Sequence, residues 1–146
     1  MKRNTITVVL LVALSLVTLY ERKDWFFKQS GQDQTVSVDQ LKHAFENEIS
    51  DLQVEGSGVV KAILRDDTKG SKHQRIIVAL PSGQNVLVAH NIDLAPRVEN
   101  LNKGDVIAFF GEYEWNPKGG VIHWTHHDPR NKHVAGWLKH NGRMYR

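Results

Sequence analysis

Apolar and polar positions follow three different rhythms along the chain. The first is an apolar run from Thr5 to Tyr20, interrupted by Thr7, Ser15 and Thr18 and preceded by Met1, Lys2 and Arg3. A basic start followed by such a run is the layout of an export signal. Ala13 and Ser15 offer a small-x-small cleavage pair, but cutting there leaves a short hydrophobic region, so retention as a signal anchor is preferred to cleavage. The sixteen residues would span about 24 Å as a helix against a hydrocarbon core of about 30 Å. Tyr20, Trp25, Phe26 and Phe27 extend the run as interfacial anchors. On either reading the rest of the chain is expected outside the cytoplasm, periplasmic or facing the envelope, and held at the inner membrane if the segment stays. Residues 1–25 are therefore read as signal or anchor, the polar stretch through 26–36 as a linker, and 37–146 as the folded domain.

The second rhythm is helical. Ser37 and Gln40 make a capping-box pattern, and Val38, Leu41, Phe45, Ile49 and Leu52 recur at the spacing of one helix face. An amphipathic helix is expected to Leu52, packed on the domain or docking a partner. From Gly56 the third rhythm is that of short strands: Val59–Leu64, His73–Leu80, Asn85–Ile92, Val106–Trp115 and Val121–His127. Pro81-Ser82-Gly83 turns between the second and third, Asp93 can cap a short helix through Leu101, and Lys103-Gly104-Asp105 turns into the fourth. The fold class is mainly β: a five-stranded OB-fold-like barrel preceded by the signal or anchor helix and one amphipathic helix, with a small SH3-like barrel as competitor. In an OB barrel ligands meet strands two and three and the loops after strands one and four, here Arg65–Lys72 and Asn116–Gly119.

Composition narrows the chemistry. With no cysteine, disulfides, thiolate metal sites, cysteine nucleophiles and a lipoprotein anchor are excluded, so any metal must use His, Asp or Glu. Net charge is +3, yet after Asp128 the chain carries Arg130, Lys132, Lys139, Arg143 and Arg146 and no acidic residue. Such a basic C-terminal arm is either a solvated tail or an attraction for a polyanion, whose counterions are released on binding.

Reactive side chains concentrate between Gly111 and His133, which holds four of the eight histidines, two of the four tryptophans, Glu112 and Glu114. A loop at Asn116–Gly119 would set Tyr113 opposite Ile122, Glu112 opposite His123 and Gly111 opposite Trp124, the glycine leaving room for the indole. Alternation then puts Phe109, Tyr113, Trp115, Ile122 and Trp124 on a core face, and Glu112, Glu114 and His123 on a polar one. His123 and His127 share a face but stand about 13 Å apart along a strand, too far to clasp one ion alone. A divalent metal would need Glu112 across the ladder, or a loop returning Asp128 or His133 toward His127. Candidate metal ligands are thus His123, His127, Asp128 and His133. Each histidine equally suits a plainer role, stacking on a ring or bonding a backbone carbonyl.

Other polar residues stand near the same loops. Asp67 and Asp93 could supply metal-binding carboxylates for phosphodiester cleavage, joined by Glu112, His123 and His127 as catalytic candidates, with Arg75 or Arg97 steadying the charge that develops. In the plainer reading Asp66-Asp67-Thr68 is turn chemistry and Asp93 a helix cap. Arg75, His90, Arg97, Trp115, His126 and His133 are candidates for ligand contact.

The runs D-D-T-K-G-S-K-H-Q-R (Asp66 to Arg75), H-N-I-D-L-A-P-R (His90 to Arg97) and G-E-Y-E-W-N-P-K-G-G-V-I-H-W-T-H-H-D-P (Gly111 to Pro129), with His133 and Gly136-Trp137, resemble a family of small exported bacterial proteins of unknown function. That resemblance implies an OB-like barrel and export, and carries no catalytic residues. A looser likeness is to the staphylococcal-nuclease type of OB-fold enzyme, through V-K-A-I with D-D-T and through I-D-L-A-P. Val88 stands where that family has an arginine, and Arg97 where it has a glutamate after the proline. The expected function is an exported binding domain for a polyanionic or oligomeric ligand, nucleic acid or glycan. The alternative is a metal-dependent phosphodiesterase. Whether the chain is an enzyme stays open.

Overall fold

Branched and aromatic residues alternating with polar ones give seven strands among the described residues, and the long first strand lets them close on one another. The structure is a computed structural model, and it describes residues 39–146. The signal or anchor segment, the linker and the Ser37 cap lie outside the described residues. The strands are β1 Leu52–Asp67, β2 His73–Ala79, β3 Asn85–Asn91, β4 Val106–Glu114, β5 Val121–His123, β6 Trp137–His140 and β7 Arg143–Tyr145. They form one mixed sheet in the order β1-β2-β3-β5-β4-β6-β7, and β4 also pairs with β1, so the first five strands make a ring. All neighbours are antiparallel except β3 and β5, which run parallel through Leu87–Val121 and Val88–Ile122.

Ring closure rests on the sixteen residues of β1. Its first half pairs with β4 from Leu52–Tyr113 to Val59–Val106, and its second half with β2 from Val59–Ala79 to Asp67–His73. Two register shifts, between Val60 and Ala62 and between Leu64 and Asp67, bend the strand from one partner to the next. Gly58 sits at the hand-over, where a side chain would run into the Ala79 carbonyl and Val78. Inside the ring, Val54, Ile76, Val88, Ile107, Phe109, Tyr113 and Ile122 are buried.

Residues 39–46 are helical, and Leu41 and Ala44 reach the same core. The helix stops short of the expected Leu52. Glu48 takes a left-handed φ of 56°, the Ile49 N–H reaches back to the Ala44 carbonyl at 2.9 Å, and the Glu48 N–H bonds Phe45 at 3.4 Å. These are the bonds of a Schellman stop. Ile49 is therefore exposed and Leu52 opens β1. No helix among the described residues is long and apolar enough to cross a membrane.

Two further expectations give way. The helix from Asp93 to Leu101 is replaced by turns and extended chain. Pro96 disfavours a helical Ala95 before it, and buried Gln74 clamps Val98 by donating to its carbonyl at 3.1 Å and accepting from its N–H at 2.9 Å. The C-terminal arm is a hairpin rather than a tail: β6 adds to the edge of β4 and β7 to β6, with Leu138 and Tyr145 buried. Asn141 and Gly142, both at positive φ (49° and 78°), make its turn.

Candidate functional site

The β4–β5 hairpin is fixed by its turn. The Asn116 side-chain oxygen accepts the Lys118 N–H at 2.8 Å and the Gly120 N–H at 3.3 Å, while Gly119 and Gly120 take φ values of 115° and 92°. The resulting register is the expected one, with Glu112 opposite His123 and Tyr113 opposite Ile122. Tyr113 and Ile122 point into the core, so the glutamates and His123 share the outer side.

Beyond His123 the alternation breaks. Trp124 has a φ of 53°, which ends the strand and turns its indole away from the core face expected for it. The ring stacks on His133 at 4.2 Å and 9°, with His126 tilted against it at 5.4 Å. Gly111 consequently makes room for something other than that indole: a Cβ there would meet the His123 carbonyl and the Thr125 methyl.

Asp128 brings the next loop back. Its carboxylate accepts the N–H groups of Arg130 (3.0 Å), Lys132 (2.8 Å) and His133 (3.0 Å), and those donors hold its pKa below the usual carboxylate value. Asp128 thus shapes the loop instead of facing the other metal candidates. The loop sets His133 over Glu112, with Nε2 2.7 Å from Oε2, while Nδ1–H donates to the Val134 carbonyl at 2.9 Å. Burial pulls His133 down in pKa, but the bonds to Glu112 and Val134 and the charges of Glu112 and Asp128 outweigh it, and its pKa stands above the ordinary value.

The other oxygen of Glu112 lies 3.3 Å from Nε2 of His123, and a Glu114 oxygen lies 3.8 Å from the same nitrogen. Despite these distances, Nε2 of His123 is buried and makes no hydrogen bond within the protein. Burial lowers the pKa of His123, against the pull of Glu112 and Glu114. Glu112, Glu114 and His123 can bring one donor atom each to within 4.8 Å of one another.

The remaining candidates take varied places. His126 is buried, bonding the His127 carbonyl through Nδ1 at 2.8 Å, and His127 itself is exposed. His90 is fully buried: its Nε2–H donates to the Pro96 carbonyl at 3.1 Å and its Nδ1 accepts the Thr125 hydroxyl at 2.8 Å. Asp67 accepts the Lys69 N–H at 3.0 Å, the bond of a turn, and Asp93 accepts the Lys72 N–H at 2.7 Å, tying the chain just after β3 to the loop before β2 rather than capping a helix. Arg97 makes a two-pronged pair with Asp66 at 2.6 and 3.1 Å. Trp115 donates its indole N–H to the Phe45 carbonyl at 3.0 Å, fastening the helix to the sheet.

Around this cluster runs a groove that the sequence reading had only in parts. It starts in a depression of about 540 Å³ bordered by Lys61, Arg75, Ile77, Leu87 and Lys118. Arg75 and Leu87 also border the next stretch, with His73, Ala89, Glu114 and His123. From there it passes His123, Trp124 and His126 to an end lined by Trp124, Arg130, Lys132 and His133. Lys61, Leu87 and Ala89 were missed. Leu87 and Ala89 alternate with the buried Val86, Val88 and His90 of β3, so strand periodicity could have placed them on the outside.

No curated protein matches the chain. A family profile, described as protein of unknown function (DUF3465), matches residues 26–146. Covering the hairpin, the returning loop and every strand, that match makes the chain a member of the DUF3465 family.

Proposed function

We propose that the domain is an OB-type barrel that binds a polyanionic chain, with single-stranded nucleic acid as the ligand its groove suits, and that it works outside the cytoplasm. The ring order β1-β2-β3-β5-β4-β1, with β3 and β5 parallel, supports the barrel assignment. The observation that carries the binding reading is the row of neighbouring depressions that share lining residues and together form this groove. It crosses the outer face of β2 and β3 beside the β4–β5 loop, the surface with which OB barrels hold oligomers. Ile77, Leu87 and Ala89 give it an apolar floor, Lys61, Arg75 and Lys118 stand at one end, and Arg130 and Lys132 at the other. Bases suit the floor and phosphates the flanks. A neutral glycan fits less well, since the ring of Trp124 is already stacked on His133. The phosphodiesterase alternative gains no support from Asp67, Asp93 or Arg97: the two aspartates hold backbone N–H groups, and Arg97 is paired with Asp66.

Anisotropy of a labelled single-stranded oligonucleotide at rising salt tests the reading. Binding should weaken with a log–log slope of about −0.7 for each phosphate neutralised. Arg75→Ala and Lys118→Ala should each lower affinity several-fold and flatten that slope by about 0.7. Absence of binding at low salt, or unchanged binding in both variants, contradicts it. A sulfated glycan in a parallel arm separates general polyanion binding from a preference for nucleic acid. The apolar run of residues 5–20 supports export. Alkaline phosphatase fused after residue 36 should be active, and a fusion active only when its own signal is supplied would refute export.

A further inference from the structure

Glu114 in the wall of a groove for polyanions, with Glu112 beside it on β4, is an electrostatic contradiction unless something offsets them. Glu112 and Glu114 sit two apart on β4, hence on one side of it, and His123 stands directly opposite Glu112 on β5. The ladder therefore presents three potential ligand side chains without any loop having to move. Glu114 and His123 also border the groove.

The second observation is the orphaned nitrogen. Nε2 of His123 is shut off from solvent and makes no hydrogen bond, although carboxylate oxygens of Glu112 and Glu114 lie 3.3 and 3.8 Å away. A buried polar atom left unpaired costs free energy. Those two nitrogen–oxygen distances suit an ion bonded at about 2.0–2.2 Å to each donor, and all three donor atoms lie within 4.8 Å of one another. The far oxygen of Glu112 is held by Nε2 of His133, whose other nitrogen is fixed by the Val134 carbonyl. That is how an outer histidine orients a ligating carboxylate. Asp128, by ordering the loop, places that histidine.

We propose that Glu112, Glu114 and His123 bind one divalent first-row transition ion, of the Zn²⁺ or Mn²⁺ class, with His133 orienting Glu112. Mixed oxygen and imidazole donors, without thiolate, suit such ions. Three protein ligands leave a coordination position for water or a ligand oxygen. The dication balances the two carboxylates, so the centre of the groove no longer repels an anionic chain. This last consequence rests on the polyanion reading above, whereas the metal site does not.

The experiment is isothermal titration of the untagged, chelator-treated full chain with Zn²⁺ and Mn²⁺, together with the visible spectrum of the Co²⁺ form. One equivalent should bind to the wild type. Glu114→Gln and His123→Asn should weaken binding by about 100-fold and bleach the Co²⁺ bands, and His133→Gln by about 10-fold. His43→Ala, an exposed helix position, should change nothing. Circular dichroism confirms that each variant is folded. Absence of an ion in the wild type, or equal affinity in Glu114→Gln and His123→Asn, overturns the site. Repeating oligonucleotide binding with and without the ion separates the two proposals. Metal uptake without oligonucleotide binding leaves the site standing and removes the polyanion reading. Oligonucleotide binding by a chain that takes up no ion removes the site alone.

Discussion

Acidification from pH 6.5 to pH 4 is expected to remove about 3 kcal/mol of folding stability through His90 alone. Burial lowers its pKa from 6.5 to about 4, helped by the charges of His126 and His73 and opposed by the bonds to Pro96 and Thr125. The unfolded chain takes up the proton near 6.5, and the folded chain resists it until near 4. Between those values the unfolded state binds more protons, so stability falls as pH falls. His123, also lowered, acts in the same direction, and His133, raised, opposes it in part. Asp105 and Asp128, both held below the ordinary carboxylate value, lose their contribution only at lower pH. Urea unfolding at pH 7, 5.5 and 4.5 measures the slope, and His90→Gln should flatten it. A wild type equally stable at pH 7 and pH 4.5 would contradict this burial of a neutral imidazole.

The second large effect is at Gly120. Replacement by alanine should cost about 3 kcal/mol or more, from strain at positive φ together with overpacking. Its φ is 92°, and a Cβ there would overlap the ring of fully buried Tyr113, whose hydroxyl donates to the Gly119 carbonyl at 3.3 Å. Gly83 separates the two causes. It has a similar φ of 85° with nothing within 4 Å, so Gly83→Ala should cost only the backbone strain, about 1–2 kcal/mol. Denaturant unfolding of both variants reads the difference. Equal losses would show that the Tyr113 contact exerts no constraint. Because this turn also sets Glu112 opposite His123, Gly120→Ala should disturb the candidate site as well as the fold.

The hairpin register was legible because Asn116-Pro117-Lys118-Gly119 marks the turn and strand pairing then follows by counting. Trp124 was not, because alternation assumes extended backbone and one residue at φ 53° cancels it. The helix end was hidden for a similar reason: a left-handed Glu48 stops it, where sequence reasoning looks for glycine or asparagine. By contrast, Pro96 and the Asn141-Gly142 pair were visible punctuation, the first against a helix after Asp93 and the second for the C-terminal hairpin. The ladder made Glu112, Glu114 and His123 readable as neighbours on one face. The return of His133 starts from local bonds, three backbone donors converging on Asp128, but its landing on Glu112 is a tertiary contact that no spacing in the chain encodes.

Amide chemical-shift mapping of the folded domain during titration with a single-stranded oligonucleotide tests the binding surface most directly. The largest changes are expected along the groove, at Lys61, Arg75, Leu87, Ala89, Lys118, Trp124 and Lys132. Changes confined to the exposed Lys139, Arg143 and Arg146, or no changes at low salt, would contradict the groove as the functional surface.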